Sequence, residues 1–431
     1  MRVLLLKILL VSCFQGLTAQ HSLNNDEFDR PCHLLQWSNI NDTEGWNAEQ
    51  LESVDIGQSM DGMLNMMPYT SSWFADYRGI LLFKEISGNF IFETEVQIEN
   101  RAGNGLPSSD YSLAGLMIRT PKNLTNGAVG WIQGLENYVF LAIGWASTGH
   151  PSCFGCGGPH FEVKNTINSS STLNISSIAQ PHAIIRMVRV DGVILVLRRS
   201  PGGSFTVHAR YNRQDMPSQV QVGFVTYTDW PNVSMYNYIT QNSNTLNNDY
   251  DNSVNWNPDL IGHFDYARFD DVLIPPALEG RNFNNPAQVS DAEIIDAFGY
   301  DLDETEPWNG MIWKGMNTNW NDPINWTTGT IPMSSDSLLV PDCSCPLISC
   351  PAIPSGTHQY AGLLIEAGGS LEVDSGATLE INLSSPNFRF RNDGNIINNG
   401  NITITRPPGQ TIINTGSITN NTGSNFSIID P

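Results

Sequence analysis

Basic residues are scarce in this chain. Its 431 residues include 21 Lys and Arg against 43 Asp and Glu, a formal net charge of −22. A surface of that sign repels phosphate backbones and anionic headgroups, which argues against nucleic-acid and membrane-surface binding. Long apolar runs are missing beyond the first residues, so no transmembrane helix is expected. Also missing are a nucleotide-binding glycine loop, a zinc-protease helix and a Gly-x-Ser-x-Gly elbow. Yet 40% of residues are apolar and only 15% are charged, the composition of a folded chain. The length calls for two or three domains.

The opening "MRVLLLKILLVSCFQGLTAQ" reads as a secretory signal over residues 1–19. Arg2 and Lys7 make a basic start, Ile8 to Leu17 is mostly apolar, and Leu17-Thr18-Ala19 resembles a cleavage site. A rival reading takes Leu10 to Cys13 as a lipoprotein box that anchors the chain through Cys13, with Lys7 interrupting its apolar core. Either way the product is secreted or held at the cell surface. The remaining cysteines are Cys32, Cys153, Cys156, Cys343, Cys345 and Cys350. Export favours disulfides among them, in a pairing that spacing does not choose. Three lie in the first half and three cluster near residue 345, so a bond between modules or a free thiol is implied.

Residues 20–276 read as all-β. Short runs of Val, Ile, Phe and Tyr alternate with Gly, Pro, Asn and Ser clusters. "GILLFKEISGNFIFETEVQIE" gives two strands around Ser87-Gly88-Asn89. In the second, Glu93, Glu95 and Glu99 share one face, read as an exposed acidic strand face. "AIIRMVRVDGVILVLRR" is the clearest hairpin, because Asp191-Gly192 suits a type I′ turn. Such a density of strands argues for a β-sandwich or barrel. Residues 277–307 hold a short helix, with Ser290 and Glu293 as a capping box and Gly299 at its end, and then an acidic linker.

Residues 308–431 change texture: Lys and Arg become rare while Asn, Thr, Gly, Ser and Ile dominate. Leu363, Leu371 and Leu379 recur every eight residues, and Phe388, Ile396, Ile404 and Ile412 keep the step. Short strands at regular spacing describe a small parallel β-helix, with Asn-rich stretches supplying amide ladders at its turns.

The run from Gly45 to Ile98, with "SLAGLMIRTP" and "FDDVLI", resembles the concanavalin A-like lectin/glucanase superfamily, and within it a bacterial jelly-roll family of unknown function found in secreted multidomain proteins. The likeness covers roughly Phe28 to Ile274 and implies a jelly-roll sandwich. "WKGMNTNWNDPINWTTGTIP", Trp313 to Pro332, resembles the Trp-Gly opening of repeat modules in bacterial surface proteins, and the β-helix expectation draws partly on it.

Catalysis by a retaining glycosidase needs two carboxyls about 5–5.5 Å apart. Laminarinase-like members of the superfamily supply them from an E-x-D-x-x-E run. This sandwich has none, so no catalytic residue is assigned. Sugar binding needs flat aromatic faces and planar hydrogen-bonding groups. Trp73, Tyr77, Arg78, Arg119, Trp131, Tyr138 and Trp145 are the candidates. Three of them fall in or beside "YTSSWFADYRG", Tyr69 to Gly79, which is either the mouth of a site or a packed strand edge. "HPSCFGCGGPH" spaces His150, Cys153, Cys156 and His160 like a zinc knuckle, although export favours a disulfide there. Carboxylate-rich loops such as "NNDYDN" admit a structural calcium without fixing its ligands. No other cofactor is implied.

The expectation is therefore a secreted or cell-surface protein whose jelly roll binds an extracellular glycan without cleaving it, with the β-helix as stalk or adhesive surface. A divergent polysaccharide hydrolase or lyase, and a purely structural surface or matrix protein, are the alternatives.

Overall fold

The computed structural model describes residues 21–147, 157–302, 310–384, 388–408, 410 and 412–430. The signal segment, Cys13, His150, Cys153, Cys156 and most of the acidic linker lie outside them. Among the described residues no helix is long and apolar enough to cross a membrane.

The fold is mostly β: a jelly-roll-like sandwich followed by a parallel β-solenoid. Fifteen strands build the sandwich: β1 (Ser38–Asn39), β2 (Leu51–Ile56), β3 (Leu64–Pro68), β4 (Leu82–Ser87), β5 (Phe90–Glu99), β6 (Ser112–Arg119), β7 (Tyr138–Ala146), β8 (Gly158–Ile167), β9 (Ser170–Ser177), β10 (His182–Val190), β11 (Val193–Arg199), β12 (Thr206–Asn212), β13 (Gln219–Tyr227), β14 (Ile261–Phe264) and β15 (Arg268–Asp271). One sheet runs β1-β4-β13-β6-β7-β8-β9, and the other runs β12-β11-β10-β5-β14-β3-β2 with β15 added beside β5. All their pairings are antiparallel. The strands flanking Ser87-Gly88-Asn89 do not pair with each other. The chain crosses there from one sheet to the other. At the β10–β11 turn, Asp191 and Gly192 both adopt left-handed backbone, φ 49° and 73°, as a type I′ turn requires.

Period-two alternation decides what each sheet buries. Leu116, Ile118, Val139, Leu141, Val163, Val222 and Phe224 face inward and meet Phe92, Val96, Ile98, Ile185 and Met187 of the facing sheet. The outer side of the second sheet is also covered. Leu278, Phe283, Val289, Ile294 and Phe298 close over Ile91, Val188, Leu195 and Leu197. The helix Asp291–Phe298 in that cover carries the capping box of Ser290 and Glu293. Arg186 pins the helix end: it donates to the Phe298 carbonyl and, at 2.7 Å, to the Tyr300 carbonyl, while its Nε bonds Glu93 at 2.6 Å. The exposed acidic face expected of β5 is thus corrected at Glu93, which is 1% exposed and also accepts a hydrogen bond from the Tyr266 hydroxyl.

In the solenoid three parallel sheets wind around one apolar core. Registers stack Leu363 on Phe390 on Ile412, Leu371 on Ile396 on Ile418, and Leu379 on Ile402 on Phe426. The eight-residue step therefore advances from face to face within a turn, not from turn to turn. Phe390, not Phe388, holds the ladder position, while Phe388 packs part-buried beside the core. Amide ladders exist: Asn392 donates to Asn414 and Asn398 to Asn420, each at 2.8 Å. Trp313, Trp320 and Trp326, all 0% exposed, pack on one another with centroids 4.8–5.9 Å apart and seal the first turn.

The two modules are clasped. Cys32 of the sandwich is bonded to Cys345 of the solenoid, and Cys343–Cys350 closes the local loop. Arg30 reaches Glu366 at 2.7 Å, and Lys314 reaches Asp61 at 2.5 Å.

Candidate functional site

The outer side of the first sheet carries the chemistry. Register sets four rows across it: Gln221–Arg119–Tyr138–Thr166, Gly223–Met117–Phe140–Lys164, Val225–Gly115–Ala142–Glu162 and Tyr227–Leu113–Gly144–His160. Polar groups thus lie among apolar ones on a face that loops cover.

The first polar group is a buried ionic cluster. Arg119 Nη1 donates to Glu44 and to Gln221, each at 2.7 Å, and its Nε reaches Glu136 at 3.0 Å. Arg78 Nη2 donates to Glu44 at 2.7 Å and its guanidinium lies 4.4 Å over the Trp46 ring. All four charged side chains are fully buried. Burial pushes the Glu136 carboxyl up, but the Arg119, Lys122 and Arg78 charges outweigh it and hold the group at about 2. Glu44 is likewise held below the ordinary range, by Arg119 and Arg78 against burial.

The second group lines a pocket of about 120 Å³. Lys164 Nζ donates to the Trp73 carbonyl at 2.5 Å, meets the Tyr227 hydroxyl at 2.6 Å and stands 3.2 Å from Glu162. Burial lowers the Lys164 ammonium; burial raises Glu162, and Lys164 with His160 outweighs that and keeps it low. Glu162 Oε2 is buried with no hydrogen-bond donor, and His160 Nε2 lies 3.8 Å from it. Phe74, Tyr111 and Trp230 form the aromatic wall. Trp230 stands edge-on to Phe74, Tyr77 and Tyr111 at 5.7, 5.4 and 6.4 Å.

Backbone strain gathers at this pocket. Among the described residues seven non-glycine residues have left-handed φ, and three border this wall: Ala75 beside Phe74, Tyr111 itself, and Asp229 beside Trp230. Each costs roughly 1–3 kcal/mol and persists only where surrounding contacts enforce it. Asp229 shows how. Its carboxylate accepts from Thr70 Oγ1 at 2.7 Å, from the Asn257 amide at 2.9 Å and from Asn232 at 2.8 Å.

The stretch from Tyr69 to Gly79 is both wall and packing. Phe74 and Tyr77 bond each other through their backbones at 2.8 and 3.2 Å, making a tight tip that presents both rings to Trp230. Trp73 and Arg78 turn inward and are 0% exposed. Of the residues expected to bind sugar, only Tyr77 stands beside the pocket wall. Trp73, Arg78, Arg119 and Tyr138 are fully buried, the arginines because distant carboxylates claim them and Tyr138 edge-on to Trp73 at 5.4 Å. Trp131 donates to Glu136 at 2.9 Å and half-covers the ionic cluster, while Trp145 packs against the sandwich core. His160, the described part of the zinc-knuckle pattern, is buried beside Glu162. Among the described residues no group of three or more His, Cys, Asp and Glu converges to hold a metal.

Phe74, Tyr111, Glu162, Lys164 and Trp230 line the pocket although none is among the residues expected to bind sugar. The one legible trace was "HFEVK", where His160, Glu162 and Lys164 share a strand face. A larger cleft, about 940 Å³, separates the modules elsewhere. Its charges are mostly spoken for, Arg30 by Asp29 and Glu366, and Arg391 by Asp393.

No family model matches the chain, and no curated protein does. Solved structures match part of the chain distantly. A functionally unknown protein from Saccharomyces cerevisiae is 13% identical with a TM-score of 0.36, over 56% of this chain and 99% of that one. A xylan β-1,4-xylosidase from Bacillus halodurans is 15% identical with a TM-score of 0.36, over 57% of this chain and 39% of the enzyme. Lectin I-B4 from Griffonia simplicifolia is 15% identical with a TM-score of 0.31, over 58% and 99%. Likeness this slight says nothing of activity or ligand.

Proposed function

We propose that the chain is a secreted or surface-held glycan-binding protein, in which the sandwich (residues 20–276) binds sugar, residues 277–307 cover and connect it, and the solenoid (308–431) serves as stalk or adhesive surface. The observation that carries this reading is the pocket between Trp230, Phe74 and Tyr111. Aromatic rings there offer apolar faces to sugar C–H groups, and the buried Glu162 carboxylate offers an acceptor to a hydroxyl. About 120 Å³ suits one edge of a sugar ring. Glu162 is the sole acid of its lining, whereas glycoside cleavage needs a carboxyl pair.

A second reading, a structural surface protein, draws on the loops that fill most of the sheet face over Trp73, Arg78 and Arg119. Affinity electrophoresis of the full chain through gels of different polysaccharides, with calcium and then with chelator, separates the two. Retardation in one gel that Trp230→Ala abolishes supports binding at this pocket. Unchanged mobility across a broad panel overturns the binding reading and leaves the structural one.

A further inference from the structure

A second pocket, of about 350 Å³, is lined by Glu52, Tyr69, Arg101, Asn247, Asp249 and Trp256 among others. Its chemistry is that of sugar recognition. Trp256 is a half-buried flat ring, stacked at 20° on Tyr236 with centroids 5.8 Å apart and fixed by its Nε1 bond to the Asp251 carbonyl at 2.8 Å. Around it stand planar amides, carboxylates and a guanidinium, groups that donate to and accept from vicinal hydroxyls. Arg101 is oriented by Glu52 and by the Pro68 carbonyl, and its buried Nε has no acceptor.

Asp229 ties the two pockets together. Its Oδ2 takes the Thr70 hydroxyl, which lies in sequence between Tyr69 of one pocket and Ser72 of the other. The same oxygen takes the amide of Asn257, which sits between Trp256 and Pro258 of the second pocket. Its Oδ1 takes Ser109 at 3.3 Å, two residues before Tyr111, and Asn232 at 3.0 Å, two after Trp230. Asp229 is 1% exposed and its left-handed φ of 66° launches Trp230. The aromatic walls also connect, since the Tyr77 hydroxyl donates to the Tyr236 carbonyl at 2.8 Å while its ring abuts Trp230.

We infer that the two pockets are adjoining subsites for one neutral oligosaccharide segment, so that the ligand is an internal stretch of polysaccharide and not a single terminal sugar, and that Asp229 is the positioning residue holding both subsites in register. Arg101 pairs with Glu52 and Lys164 with Glu162, so the net charge along the path comes from Asp249, and its sign disfavours uronic or sulfated chains. This inference rests on the glycan-binding reading.

The test is calorimetric titration of the full chain with xylo-, cello-, laminari- and manno-oligosaccharides from disaccharide to hexasaccharide. Affinity in one series should rise about tenfold or more once the chain is long enough to fill both subsites. Trp256→Ala and Trp230→Ala should each remove that gain, bringing the longest ligand down to the affinity of the shortest. Asp229→Asn keeps most of the local hydrogen bonds and should weaken long ligands more than short ones. Length-independent affinity, or a Trp256→Ala variant whose length gain is unchanged, overturns the two-subsite inference and leaves the glycan-binding reading standing. No binding in any series, together with unretarded electrophoresis, overturns both.

Discussion

Replacing Arg119 with Met tests the account of the buried ionic cluster. The guanidinium makes four hydrogen bonds, two to Glu136, one to Glu44 and one to Gln221, all fully buried. Met fills similar volume but leaves two carboxylates facing one another with Arg78, and Lys122 at 3.8 Å from Glu136, as the remaining cations. Stranding a buried partner of this kind costs about 3–5 kcal/mol. The pH dependence sharpens the test. Glu136 is held at about 2 against an ordinary 4.5, so its folded-state pKa is depressed. A depressed acid contributes stability in full above its unfolded pKa and loses it as pH falls through its folded pKa. Over the window from about 4.5 down to 2 that loss is on the order of 3 kcal/mol. Without Arg119 the carboxyl titrates higher, the variant has less to lose over the same window, and the gap between the proteins narrows.

The assay is urea unfolding at pH 6 and pH 3. Amide exchange over β6 and β7 assigns the transition to the sandwich, because a two-module chain need not unfold in one step. Adding Glu136→Gln to Arg119→Met should recover part of the deficit, since a neutral amide is cheaper to bury than an unpaired carboxylate. A deficit below about 1 kcal/mol at pH 6, or one of equal size at both pH values, would refute the reasoning.

Cys32→Ser opens the clasp across a sequence separation of 313 residues, for which the chain-entropy estimate gives roughly 5–6 kcal/mol; a lowered melting temperature and a larger radius of gyration in small-angle scattering are expected. Asn398→Leu removes a buried amide that donates to Asn420 at 2.8 Å and to the Asn425 carbonyl at 3.0 Å. It should cost about 1–3 kcal/mol, read as faster amide exchange in the last turns of the solenoid while β6 and β7 stay protected. Gly223→Ala would place a methyl 1.8 Å from the Leu82 carbonyl oxygen and 2.6 Å from Phe83 Cα, so β4 and β13 must separate; loss of soluble folded protein is the expected readout, with Gly105→Ala, whose methyl would meet only the Asn100 side chain at 3.3 Å, as the control.

What the sequence disclosed and what it withheld follow from the range of the interactions involved. Strand alternation is local, so the sandwich, the Asp191-Gly192 turn and the Ser290–Glu293 capping box were readable. The solenoid was readable because its apolar spacing is regular, although Phe388 and Phe390 compete for one ladder position and only the register decides. Arg119 looked like a ligand-facing arginine at the end of "LMIR". It is instead claimed by Glu44, 75 residues away, and Glu136, 17 away. The Trp230 wall joins Phe74 to a loop more than a hundred residues further on, and its presentation depends on a left-handed Asp229 held by Thr70 and Asn257, partners far away along the chain or across a loop.

Glycine inside a strand marks a place where a neighbouring backbone approaches closely. Gly115 and Gly223 both occupy outer-face positions, where an added Cβ would meet the backbone of the neighbouring strand at 2.0 and 1.8 Å. Inner-face neighbours such as Leu116 and Phe224 are large. Bulky side chains share the outer face as well, Leu113, Met117, Tyr138, Phe140 and Tyr227 among them, and the loops pack on these. That face gathers the loops of Trp73, Trp131 and Trp230 over Arg119 and Lys164 and leaves room at one end for a ring. The pocket is thus built jointly by strand residues, Glu162, Lys164 and Tyr227, and by loop aromatics whose contacts are set by tertiary structure.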